Sequence, residues 1–119
     1  MRTWGFRISA HGTGEDPDKI LSYSADAGPC PALPRLADNA DLFLCEAGLR
    51  SLAEDDPEPQ SRGHLLPSEA GRLARDSHAK RLLLTHIPLP DRGAWALEEA
   101  AAEFEGPLEI AEPLRTYEV

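Results

Sequence analysis

The stretch that decides the fold is ADLFLCEA, residues 40–47. Its apolar run is continuous rather than alternating, too short for a helix, and closed by Glu46, which is the pattern of a strand covered on both faces. RLLLTH, residues 81–86, repeats that pattern and ends on His86. Between the two lies LPSEAGRLARDSHAK, residues 66–80, which has Pro67 at a first helical position and Glu69 in the first turn. Ala70, Leu73 and Ala74 follow at helical spacing, so a helix is expected here. His78 near its end suits the negative pole of that helix and reads as structural.

Working outward, TWGFRISA (3–10) and KILSYS (19–24) are short apolar runs joined by HGTGEDPD, whose Gly, Asp and Pro content predicts a hairpin connection with His11 as a solvated loop residue. CPALPRLADNA can form a short helix in spite of Pro31 and Pro34, because proline is tolerated in a first turn. EDDPEPQSRG, residues 54–63, has nothing apolar to bury and reads as a mobile surface loop. Downstream, IPLPDRG is a loop, and AWALEEAAAEFEG is a helix with Leu97, Ala100, Ala101 and Phe104 on one face, stopped by Gly106 and Pro107. LEIAE and RTYEV close the chain as one or two strands. A hairpin followed by strands alternating with helices gives the α/β class.

Composition narrows the function. The 119 residues suffice for one core and not for two. With 21 acidic against 12 basic residues the net charge is −9, which argues against a phosphate-backbone partner for this chain alone. No apolar run is long enough to span a membrane, and the opening MRTWGFRISAHG lacks the apolar core of a signal peptide, so a cytoplasmic location is expected. Cys30 and Cys45 have no CxxC spacing and read as two reduced thiols.

Polar residues that follow apolar strands stand at the carboxyl edge of an α/β sheet, where such folds build their sites. Asp26 follows ILSYS, Glu46 follows DLFLC, His86 follows RLLLT, and His64 sits just ahead of a helix. Two carboxylates and two imidazoles from separated segments suit a hard or borderline metal such as zinc. Each also has an ordinary structural reading: an Asx-turn at Asp26, a solvated strand end at Glu46, a loop residue at His64, a packed histidine at His86.

In order along the chain, LSYSADAGPCPALPRLADNADLFLCEA and GHLLPSEAGRLARDSHAKRLLLTHIP resemble the C-terminal half of metallo-β-lactamase-fold hydrolases, in the branch of ribonuclease Z and small phosphodiesterases. There a pattern like Y-S-G-D-T-G-P precedes ADLLLxEA, then H-L-T-A-x-E-A-G, then LxLTH. The resemblance implies that Asp26 bridges two metal ions and that His86 completes the shell of the second. It implies that His64 holds or protonates the scissile phosphate group, and that Glu46 orients His64.

The implied cofactor is zinc, two ions in the complete site, and the implied chemistry is phosphodiester or ester hydrolysis by a metal-bound hydroxide. The remaining ligands, an H-x-H-x-D-H motif, belong to the family's N-terminal half and do not occur here, so this chain is expected to lack a complete metal site. The implied fold is the C-terminal half of an αββα four-layer sandwich, a single partial domain over residues 1–119 with one mixed sheet and helices on its outer face. Its inner face would then need a partner, either a second copy or an N-terminal half-domain. The substrate expected is a small phosphodiester or ester. The contrasting expectation is a non-catalytic remnant that keeps the half-fold as an interaction module.

Overall fold

The computed structural model describes residues 2–58, 61–88 and 90–119. Its elements are β1 (Phe6–Ala10), β2 (Lys19–Tyr23), α1 (Ala32–Ala37), β3 (Leu42–Glu46), a 3-10 turn (Leu52–Glu54), α2 (Pro67–Asp76), β4 (Leu82–Thr85), α3 (Gly93–Ala101) and β5 (Leu108–Ile110). They form one five-stranded sheet in sequence order, antiparallel between β1 and β2 and parallel from β2 to β5. Each parallel connection carries one helix, as a crossover between neighbouring parallel strands requires.

All three helices pack on one face of the sheet. Phe43 and Cys45 of β3 and Leu82 and Leu84 of β4 point into that side and form a core with Leu33, Ala37, Ala70, Ala74, Ala96 and Ala100. The alanines let the helices sit close, and Gly71 is the tightest point: a Cβ there would lie 2.4 Å from the carbonyl oxygen of Ala100. The opposite face alternates with the first. Register aligns Phe6 with Tyr23 and Ile8 with Leu21, then Leu21 with Leu42 and Tyr23 with Leu44. Exposure on this face is greatest at β1, where Phe6 and Ile8 are each 56% exposed; Leu21, Tyr23 and Leu44 are half-buried, and Leu42 is buried.

At the N-terminal edge of the parallel strands, buried Asp41 accepts the Ile20 amide at 2.8 Å and the Lys80 ammonium at 2.7 Å. At the other edge every parallel strand opens into a loop, and those loops carry the candidate residues.

Some expectations need correction. RTYEV is not a strand: Tyr117 folds back, its hydroxyl accepting the Glu112 amide at 2.9 Å and reaching the Ile110 carbonyl at 3.3 Å, which closes the edge beside β5. Helix α2 stops at Asp76, and His78 takes a left-handed φ of 56° while Ala79 bonds back to the Ala74 carbonyl, a turn that ends the helix before Lys80. Helix α3 ends at Ala101, ahead of Gly106, and buries Gly93, Ala96 and Ala100 instead of a face through Ala101. Phe104 still reaches the core, from the turn that follows.

Candidate active site

Asp26, Glu46, His64 and His86 come from four separate segments and meet at the carboxyl edge of the sheet. Glu46 ends β3 and is fully buried, 0% exposed. One of its oxygens accepts the amides of Ala27 and Leu65, each at 3.1 Å, and the other accepts the Gly48 amide at 2.8 Å. The His64 ring donates from Nδ1 to the first oxygen at 3.1 Å. Burial pushes the Glu46 carboxyl above its usual range, against the opposing pull of those amides and of His64. One carboxylate thus joins the loops after β2 and β3 to the segment ahead of α2.

Asp26 and His86 form the second pair, with Nδ1 of His86 donating to the Asp26 carboxylate at 2.8 Å. Both remain open to solvent. Each is held by backbone that favours glycine: Ala25, which precedes the aspartate, has φ 52°, and His86 itself has φ 61°. Ser24 anchors the first of these turns, since its hydroxyl accepts the Glu46 amide at 2.9 Å.

The two pairs touch. The rings of His64 and His86 are 4.8 Å apart and meet edge to face at 79°. Gly48 lies between them, and a Cβ there would rest in ordinary contact, 3.5 Å from Nδ1 of His64 and 3.5 Å from Cδ2 of His86. A cleft of about 580 Å³ opens beside the pairs, lined in part by Asp26, Gly28, Asp55, Arg62 and His64.

Two residues of this region were not legible in the sequence. The 54–63 stretch reads as a loop with nothing to bury, yet Arg62 is buried and Asp55 half-buried. Asp55 accepts the amides of Gly63 and His64 at 2.8 and 3.1 Å. Amide bonds, first that of Asp56 and then that of Gly63, hold the Asp55 carboxyl below its usual range. Nothing in EDDPEPQSRG distinguishes Asp55 from its acidic neighbours, because its role depends on where the chain returns after position 61.

Asp26 and His86 offer a carboxylate and an imidazole, suitable donors for zinc, but among the described residues no group of three or more His, Cys, Asp or Glu side chains converges to hold an ion. Two donors fall short of the three protein ligands a catalytic zinc ordinarily takes. The described residues by themselves do not reach that number. Among the described residues no helix is long and apolar enough to cross a membrane.

Comparisons with known proteins bear on the fold, although no family model matches the chain. An uncharacterized protein of Mycobacterium leprae is 39% identical over 118 residues, which is 98% of this chain and 38% of that protein. Ribonuclease Z of Methanothermobacter thermautotrophicus is 34% identical over 99 residues, covering 83% of this chain and 32% of the enzyme. The crystal structure of the metallo-beta-lactamase fold protein YhfI from Bacillus subtilis superposes with a TM-score of 0.67 at 32% identity, over 79% of this chain and 37% of that one. The chain therefore spans well under half the length of the relatives it matches. Likeness of this extent in both sequence and backbone shows that the chain has the fold of the C-terminal part of the metallo-β-lactamase-fold proteins related to ribonuclease Z.

Proposed function

We propose that this chain is the C-terminal segment of a metal-dependent hydrolase acting on small phosphodiesters or esters. The observation that carries the reading is the meeting of Asp26–His86 with Glu46–His64, four side chains separated by up to 60 residues, with the two imidazoles in contact. Asp26 and His86 would supply two donors, and the others would come from polypeptide outside this chain. A zinc pair so completed supplies Lewis acidity and an activated nucleophile.

The residues of this chain do the rest. Glu46 fixes the tautomer and direction of His64 by accepting a hydrogen bond from its Nδ1–H, which leaves Nε2 as the atom that meets substrate. In its protonated form His64 donates from Nε2 to the departing oxygen. Net charge of −9 favours a small substrate over a polynucleotide, whose binding depends on clustered basic residues.

The open sheet face supports a partner. On that face Phe6 and Ile8 are exposed and Leu21, Tyr23 and Leu44 half-buried, and the relatives carry more than half of their length outside the matched region. A complementary segment of that kind is the occupant that would also bring metal ligands. A second reading, a non-catalytic remnant, is favoured by the two-donor set.

The test is to measure bound zinc and hydrolysis of bis(4-nitrophenyl) phosphate for the chain alone and mixed with the N-terminal part of YhfI. Zinc binding and turnover are expected in the mixture and not in the chain alone. If neither preparation binds zinc, the remnant reading replaces the hydrolase. Concentration-dependent association of the chain by itself would assign the open face to a second copy.

A further inference from the structure

His64 sits in a connection with no regular structure, yet that connection is tied at both ends by one carboxylate. Arg62, whose side chain is only 4% exposed, donates from Nη2 to Oε1 of Glu69 at 2.6 Å. Glu69 Oε2 accepts the Leu66 amide at 2.9 Å, the amide that opens α2. The two oxygens of Glu69 therefore close a ring around residues 62–66.

Inside that ring, the amides of Gly63 and His64 are held by Asp55, and the Leu65 amide by Glu46. The Arg62 carbonyl meets the other loop of the site directly, since a Cβ at Gly28 would lie 1.8 Å from it. An arginine in a polar surface loop ordinarily keeps its head in water, and burying it is costly unless it is well paired. Its partner lies seven residues on and across a turn, so the pair adds nothing to helix propensity; what it fixes is the path of the chain past His64.

We propose that Arg62 is a positioning residue: clamped by Glu69, it sets the 62–66 backbone so that the His64 ring meets Glu46 and stands against His86. The link to catalysis rests on the proposed function; the positioning itself does not.

The experiment is nuclear magnetic resonance on the labelled chain and its Arg62→Met and Arg62→Lys variants. In Arg62→Met, exchange of the His64 and Leu65 amides should rise by about tenfold or more while the Phe43 and Leu84 amides keep their rates. The His64 ring nitrogens should lose the signature of a single Nδ1-bonded tautomer, and the His86–Asp26 bond should persist. Arg62→Lys, which keeps a cation for Glu69, should restore most of both signals. An unchanged His64 ring in Arg62→Met, or equal acceleration at every amide, would overturn the proposal. Should Arg62→Met fail to fold, Glu69→Gln, which retains an acceptor for Leu66, is read in the same way. Neither readout needs metal or turnover, so loss of the hydrolase reading would be seen separately, as failure of the reconstituted mixture.

Discussion

A carboxylate that accepts three backbone amides and an imidazole while shut away from water, as Glu46 does, has no freedom left to serve as a proton carrier. Its work is geometric: it makes the positions of Asp26 and His64 depend on each other through Ala27 and Leu65. The strain of the site lies elsewhere, at Ala25 and His86, whose positive φ angles aim Asp26 and the His86 ring across the same edge. For an L residue the left-handed region costs about 1–2 kcal/mol, and the freedom that glycine returns to the unfolded chain takes back about 0.4–1 kcal/mol. Ala25→Gly should therefore stabilise the chain by about 0.5–1 kcal/mol, read as a rise in the urea midpoint with an unchanged slope. A lower midpoint would show that the Ala25 turn is not strained.

Among the elements, α2 holds most of the arrangement together. It begins where Glu69 caps Leu66, it follows His64 directly, and its small residues let α3 approach. Helix propensity alone would make Gly71→Ala favourable by about 1 kcal/mol. The new methyl would meet the Ala100 carbonyl, which is backbone and cannot swing away. Overpacking of that kind costs roughly 1–3 kcal/mol, so Gly71→Ala should be destabilising by about 1 kcal/mol, seen as an earlier chemical unfolding transition. If the variant is instead more stable, α2 and α3 pack less rigidly than their backbone spacing indicates. Here the sequence was only partly readable. The period of Ala70, Leu73 and Ala74 locates α2, but where it stops was set by the His78 turn that delivers Lys80 to Asp41, a contact spanning 39 residues.

For the whole molecule, that contact ties stability to pH. The hydrogen bond from Lys80, and after burial's opposing effect the Ile20 amide, hold the Asp41 carboxyl below its ordinary value of 3.8. A carboxyl depressed in the folded state binds its proton more readily when unfolded, so its contribution is present above 3.8 and is lost as pH falls through the lower folded value. Wild type should exceed Asp41→Asn by about 1 kcal/mol near neutrality, with the Lys80 end of the pair open to solvent. The gap should close on acidification below 3.8, measured by thermal melts of both proteins across pH. A constant gap would mean that Asp41 acts through shape and not charge. The sequence by itself determined the strands ADLFLCEA and RLLLTH, the helix between them and the four polar residues at their ends, because apolar period and turn chemistry are local properties of the chain. Tertiary structure alone decided that Asp55 and Arg62 hold the His64 loop, that His64 touches His86, and that Phe6 and Ile8 stay exposed on the sheet. Each of these depends on which distant segment returns alongside, and no local pattern encodes that.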